Sequence, residues 1–142
     1  MPHHNSLFII LSCILLSACA GFNPPTQNST LAPWDPQPSD SRMQRGEVEL
    51  TSVEIITLES DPPQFRLSLS GALPTPCHQL RVAVSQSADL SKIDFEVYSV
   101  FDSDEICIQV LEPFTEEIPI GVLTSGESMV SVNGNHIGEI NP

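Results

Sequence analysis

Short alternating apolar runs, separated by turn-forming residues, set the pattern of the chain from residue 46 onward. In most runs apolar side chains recur at every second position, which is the period of a β-strand with one buried face. No stretch of twelve or more residues keeps a clear helical period. The runs lie at 47–58, 64–69, 80–84, 93–101, 106–110, 114–122, 128–132 and 136–140. The pattern predicts an all-β fold, an antiparallel β-sandwich of seven or eight short strands.

Two local details refine this prediction. The first run changes register after Leu50, which predicts a bulge or a crossing between sheets. Asn133-Gly134-Asn135 predicts a tight hairpin, because Asn and Gly tolerate a positive φ. By strand count the arrangement resembles immunoglobulin-like and fibronectin-like surface domains. Residues 46–142 contain no tryptophan, so the Cys–Trp–Cys hallmark of true immunoglobulin domains is absent and the resemblance concerns architecture rather than function.

The first nineteen residues have the order of an export signal. Residues 7–16 form an apolar run that is too short to span a bilayer, which takes about 20 residues, and is typical of a signal peptide. The run leads into Leu16-Ser17-Ala18-Cys19, which resembles the lipobox of bacterial lipoproteins, although no Lys or Arg precedes it. The resemblance implies cleavage before Cys19 and attachment of acyl chains, palmitate among them, to that cysteine. Ordinary secretion with cleavage nearby is the alternative.

A Pro-rich segment follows this signal. Residues 22–45 contain five prolines and many Ser, Thr, Asn and Gln residues, a composition that buries too little apolar surface to offset the entropy of ordering. The sequence therefore predicts a signal peptide at 1–18 that is removed, a lipidated Cys19 with a disordered tether to residue 45, and a β-sandwich domain at 46–142. The exported protein would be anchored by its lipid to the outer face of the cell membrane or to the periplasmic or outer-membrane surface.

Four cysteines are encoded, and two of them remain for the domain. Cys13 lies in the signal peptide and Cys19 is the expected lipid attachment site. Because exported proteins fold in an oxidising compartment, Cys77 and Cys107 are expected to form a disulfide. On the chain-entropy model such a bond stabilises the fold by about 3–4 kcal/mol. The alternative is a reactive thiol with His78 or His136 as its base.

The charge is strongly acidic, with 18 Asp and Glu residues against five Lys and Arg residues and a net charge of −13. Such a surface repels the phosphate backbone, so no nucleic-acid partner is expected. The densest acidic cluster contains Asp102, Asp104 and Glu105 on a predicted loop. These are weak candidates for calcium ligands, because the spacing and the central Gly of an EF-hand are missing.

The sequence contains no G-x-S-x-G, P-loop or dinucleotide-binding pattern, so neither an enzyme nor a cofactor is expected. The leading hypothesis is a monomeric, non-catalytic binding or structural domain on the cell envelope, with an envelope or extracellular protein as its unknown partner. The second hypothesis is a small inhibitor of a protease or other hydrolase, which would offer loop 73–77 or loop 102–107 held by the disulfide. The third is an acidic calcium-binding surface domain.

Overall fold

Alternation of apolar and polar residues produces strands over most of residues 44–140. The computed structural model describes residues 31–123 and 126–141. This part of the chain contains eight strands and one 3-10 helix, Pro38–Arg42. The strands are β1 (Gln44–Gly46), β2 (Glu49–Leu58), β3 (Gln64–Leu73), β4 (Gln79–Gln86), β5 (Lys92–Phe101), β6 (Glu112–Val122), β7 (Ser128–Val132) and β8 (Asn135–Ile140).

The strands form two sheets, which confirms the predicted sandwich. The three-stranded sheet has the order β2-β3-β6, and all of its pairs are antiparallel. In the five-stranded sheet β5 is central, with β4 on one side and β7 and β1 sharing the other. β7 continues into an antiparallel pair with β8. The pairing of β5 with β7 is parallel, which the predicted antiparallel arrangement does not include. The difference arises because β6 lies in the other sheet. In the five-stranded sheet β7 therefore pairs with β5, which does not precede it directly in sequence.

The core lies between the two sheets and follows the period-two pattern. On β3 the buried side chains include Phe65, Leu67 and Leu69, and on β5 they include Ile93 and Phe95. The polar residues between them point to the outer faces of the sheets. Full burial of such a side chain stabilises the fold by about 1.5–3 kcal/mol, so these two central strands contribute much of the stability.

Both local details expected from the sequence are present. The register between β2 and β3 shifts between Leu50 and Ser52. Gly71 lies opposite this bulge, where a Cβ atom would collide with the carbonyl oxygen of Glu49. At the β7–β8 turn Asn133 has a φ of 49° and Gly134 a φ of 79°, as a two-residue hairpin turn requires.

One predicted strand is wrong. Residues 106–110 pair with no strand within the described part of the chain, and Ile106 is fully exposed. β5 ends in the five-stranded sheet and β6 begins in the three-stranded sheet, so the connection crosses the end of the sandwich and has no strand beside it. The alternating pattern is real, but it lies on a loop.

The predicted tether also ends too late. Residues 31–43, here called the N-terminal strap, pack on the sandwich instead of remaining disordered. Trp34 packs against the core, and its carbonyl oxygen accepts a hydrogen bond of 2.8 Å from the backbone N–H of Val82 on the edge strand β4. After the strap, β1 pairs with Ser99–Phe101 of β5. The folded domain therefore begins before residue 46, and it includes at least residues 31–45.

A buried ion pair also joins this Pro-rich segment to the sandwich. Arg81 on β4 is 3 % exposed, and its guanidinium donates two hydrogen bonds to the carboxylate of Asp40 in the strap. Arg81 also donates to the carbonyl oxygen of Pro33. Such specific contacts help to offset the conformational entropy that the segment loses when it becomes ordered, which its few apolar residues cannot offset.

The predicted signal peptide and Cys19 lie outside the described residues. No helix in the part of the chain that the structure describes is both long and apolar enough to cross a bilayer.

Candidate binding surface at the disulfide

The expected disulfide joins two connections at one end of the sandwich. Cys77 lies in the connection from β3 to β4, and Cys107 lies in residues 102–111, here called the disulfide loop. The Cα atoms of the two cysteines are 6.0 Å apart, and 30 positions separate them in sequence. The bond holds the middle of the disulfide loop on the end of the sandwich. Because both sulfur atoms are in the bond, neither is a free thiol, and this contradicts the reactive-thiol alternative.

His78 supports the base of this loop. Its ring stacks on Phe101 with the two centroids 4.5 Å apart, and its Nδ1 lies 2.8 Å from the hydroxyl oxygen of Thr75. Thr75 is buried. The other candidate base, His136, lies on the β7–β8 hairpin and is exposed. His78 therefore orders the end of the sandwich on which the loop lies.

A cleft of about 280 Å³ lies beneath the loop. Its lining includes the two cysteines of the disulfide, His78 and Phe101, together with the acidic residues Asp102 and Glu105. Its walls are thus partly aromatic and partly acidic. A cleft with these walls can receive an aliphatic or cationic side chain of a partner.

The most distinctive feature of the loop is a row of exposed aliphatic side chains. Ile106 is 100 % exposed, Ile108 is 68 % exposed, and Val110 and Leu111 are 56 % and 59 % exposed. Single exposed apolar residues are common on protein surfaces, but a contiguous apolar patch indicates an interaction site. The sequence pattern contains this signal, but it does not say whether the apolar face is buried or exposed.

The acidic residues of the loop are arranged as a turn. The backbone N–H of Asp104 donates a hydrogen bond of 2.9 Å to a carboxylate oxygen of Asp102, and the N–H of Glu105 donates to the Asp102 carbonyl oxygen. Asp102 and Asp104 also line a shallow cleft together with Arg42 of the strap. Within residues 31–123 and 126–141, no three His, Cys, Asp or Glu side chains are grouped to hold a metal ion.

A second cleft, of about 450 Å³, lies beside β1. The Arg45 guanidinium lies 3.7 Å from the centroid of the Tyr98 ring, and it forms an ion pair with Glu96. Asn133, at another wall, forms hydrogen bonds with both backbone groups of Val97. Arg45, Glu96 and Asn133 of this cleft thus already have partners, which makes it a weaker candidate than the disulfide loop.

Comparison with known proteins places this architecture in a family. Residues 67–141, more than half of the chain, match the family model of the ORF11 beta-sandwich domain. The chain belongs to the ORF11 beta-sandwich domain family. The matched region of this family member begins within β3 and includes β4 to β8, both cysteines and the disulfide loop.

A protein of another organism is similar to this chain over most of its own length. The chain is 36 % identical over 85 residues to a protein of Herpetosiphon aurantiacus that is named as an uncharacterized 10.2 kDa protein in the HgiCIIM 5′ region. The aligned residues are 59 % of this chain and 89 % of that relative. No solved structure gives a significant match.

Proposed function

We propose that this ORF11 beta-sandwich protein is a non-catalytic binding module of the cell envelope and that it contacts its partner through the disulfide loop. The observation that carries the proposal is the row of exposed aliphatic side chains at Ile106, Ile108 and Val110, fixed in place through Cys107. Leaving these side chains in water costs free energy, which a partner recovers when it covers them.

The surroundings of the loop support binding rather than chemistry. The cysteine nearest to His78 is in the disulfide, and the His78 ring lies against Thr75 and Phe101. A disulfide also limits the conformations of the free loop, so the loop loses less entropy when it binds. The module therefore acts as a preorganised surface, and it acts as a monomer.

The lipobox supports an anchor at Cys19, and through it an exported location on the membrane surface. Only residues 20–30 separate Cys19 from the strap. Even a fully extended chain of this length spans at most about 40 Å. The anchored domain therefore stays near the membrane, where it meets envelope proteins. Replacement of Cys19 by Ala is expected to abolish labelling by a fatty-acid probe, and undiminished labelling would refute the anchor.

A capture experiment tests the binding proposal. The tagged full chain is incubated with envelope extract, and the proteins bound by the wild type are compared with those bound by an Ile106→Ser/Ile108→Ser/Val110→Ser variant. A Leu90→Ser/Met129→Ser variant is the matched control, because these two side chains are also apolar and exposed but lie outside the loop. The proposal requires a bound protein that only the loop variant loses. Equal binding by all three proteins would contradict it.

A second candidate function is inhibition of a protease or other hydrolase. The favouring observation is that the disulfide holds a loop that presents a fully exposed aliphatic side chain, Ile106. Two loops are candidates for insertion into a hydrolase active site. In loop 73–77 the side chains of Leu73 and Thr75 are buried, so loop 102–107 is more accessible to the enzyme. Elastase, which prefers small aliphatic residues, is the direct probe. Tight inhibition with the loop left intact would support this candidate, whereas rapid cleavage near Ile106 would exclude it.

A further inference from the structure

The backbone N–H groups in the middle of the disulfide loop are as open as its aliphatic side chains. Among the described residues, no hydrogen-bond acceptor contacts the backbone N–H groups at 106–109. Two carbonyl groups of this stretch are paired: that of Ile108 accepts from the N–H of Val110 at 3.1 Å, and that of Cys107 accepts from the side-chain amide of Gln109 at 3.3 Å. The exposed aliphatic row therefore coincides with a stretch of backbone whose N–H groups have no partner among the described residues.

The unpaired backbone N–H groups restrict which kind of molecule can bury the exposed aliphatic side chains. A backbone polar group that leaves water without a new partner costs free energy comparable to a lost hydrogen bond. Hydrocarbon offers no such partner, so insertion of residues 106–109 into the lipid core is unfavourable. A β-strand of another protein offers N–H and carbonyl groups at the right spacing, and it covers alternate side chains at the same time.

The acidic residues beside the aliphatic row restrict the kind of partner further. Asp104 and Glu105 precede the aliphatic row directly, and Glu112 follows Leu111. If two copies paired through residues 106–109, the acids that flank this segment in one copy would lie close to the same acids of the other. Like charges close together in a strand pair are destabilising. A partner strand with Lys or Arg at its ends would instead neutralise these acids.

We propose that residues 106–109 bind by strand addition to an exposed edge strand of an envelope protein that has basic residues at both ends of that edge. This inference rests on the proposed function and specifies its binding mode. Aliphatic pockets on the partner receive Ile106 and Ile108. Its backbone carbonyl groups accept hydrogen bonds from the open N–H groups at 106–109, and its basic residues face Asp104, Glu105 and Glu112.

Site-specific photocross-linking tests the inference with a defined probe. The full chain carries p-benzoylphenylalanine at position 106 and is irradiated in its own envelope membranes. The same probe at position 90, an exposed apolar position in the β4–β5 turn, is the control. We expect a protein adduct at 106, with the attachment point on an edge strand that has Lys or Arg within a few residues. The adduct yield should fall several-fold in 1 M salt, where the screening length shrinks to about 3 Å.

Two replacements at position 108, each combined with the probe at 106, separate backbone pairing from side-chain burial. Ile108→Pro removes one backbone donor and is expected to reduce the adduct about tenfold. Ile108→Val keeps the donor and an aliphatic side chain, and it should preserve the adduct. Both variants must keep the Cys77–Cys107 bond and a melting temperature close to that of the wild type. If Ile108→Pro fails this check, hydrogen exchange of residues 106–109 in the wild-type complex replaces it, and unchanged exchange overturns the inference.

The outcomes distinguish binding by strand addition from the more general binding function of the disulfide loop. A protein adduct that is insensitive to salt, or that tolerates Ile108→Pro, overturns strand addition but leaves the binding module intact. A lipid adduct or an adduct with a second copy overturns the inference in favour of that occupant. If the probe at position 106 gives no more adduct than the probe at position 90, the result contradicts both strand addition and the proposed binding function.

Discussion

Arg81 and Asp40 form a buried bidentate ion pair that joins the N-terminal strap to the sandwich, with N–O distances of 2.7 and 2.9 Å. The side chain of Arg81 is 3 % exposed and that of Asp40 is 13 % exposed. Loss of one partner would leave a buried charge uncompensated. The strap is therefore part of the structure that the sandwich needs.

Replacement of Asp40 by Ala is expected to destabilise the protein by about 3 kcal/mol, because the buried guanidinium loses its counter-ion. Urea unfolding followed by circular dichroism measures the change. Glu117→Ala is the matched control, since it breaks the exposed Arg66–Glu117 pair and should cost less than about 1 kcal/mol. Equal effects of the two substitutions would contradict the assigned role of Arg81.

Stability is expected to fall in acid partly through Asp40. The hydrogen bond from Arg81, opposed by partial burial, holds the pKa of Asp40 below its ordinary value of 3.8. A lowered pKa in the folded state stabilises the protein above pH 3.8, and this contribution is lost as the pH falls toward the folded-state value. Asp40→Asn should therefore flatten the decline of stability below about pH 4. Unfolding free energies of both proteins between pH 2 and 7 test this, and parallel curves would refute it.

Two exposed carboxyl groups modify the acid response in opposite directions. Hydrogen bonds from Ser87 and Ser91 lower the pKa of Asp89 to about 2, so Asp89 loses its stabilising effect over a similar acid range. The hydrogen bond with Glu139 raises the pKa of Glu127. Protonation of Glu127 therefore favours the folded state as the pH falls through its raised pKa. Asp40→Asn should consequently remove only part of the acid dependence.

Removal of the strap is expected to damage the domain. A fragment of residues 46–142 would expose Arg81 and leave the backbone N–H of Val82 on β4 without its acceptor on Trp34. We expect it to melt at a lower temperature than a fragment of residues 31–142 and to associate through the uncovered edge of β4. Thermal unfolding and size-exclusion chromatography compare the two fragments. Identical melting temperatures and elution volumes would show that residues 31–45 do not stabilise the domain, as expected of a disordered tether.

Loss of the disulfide is expected to cost about 3–4 kcal/mol, because the open chain gains conformational entropy on unfolding. A Cys77→Ser/Cys107→Ser variant avoids leaving a lone thiol and allows the measurement without reductant. The same change should make the disulfide loop the first site of proteolysis, since its middle is no longer held on the sandwich. A variant that is as stable and as protease-resistant as the wild type would show that the bond has no such role.

Local sequence patterns predict the parts of this fold that depend on local physics. The alternation through Phe65, Leu67 and Leu69 predicts β3 because side chains of a strand face opposite sides. Asn133-Gly134 predicts the last hairpin because its turn needs two positive φ angles. The Cys77–Cys107 pair follows from the compartment and from the assignment of the other two cysteines.

Non-local contacts account for what the sequence does not predict. β1 contains Gln44, Arg45 and Gly46, which have no apolar pattern, and it is a strand only because β5 lies beside it. The strap folds because Asp40 meets Arg81, 41 positions away in sequence. The alternation at 106–110 predicts a strand correctly only if another strand is available. The sequence names loop 102–107 as a candidate but does not predict its exposed aliphatic row, since exposure of Ile106 depends on the path of the chain across the end of the sandwich.

Hydrogen exchange of the disulfide loop, measured on the full chain alone and in complex with the protein captured from the envelope, tests whether this loop is the binding surface. In the free protein the amides at 106–109 should exchange rapidly, because they have no partner among the described residues. In the complex they should be the most strongly slowed amides, while those of the Arg45–Tyr98 cleft remain unchanged. Protection at that cleft or elsewhere, with exchange at 106–109 unaltered, would contradict the assignment of the disulfide loop as the binding surface.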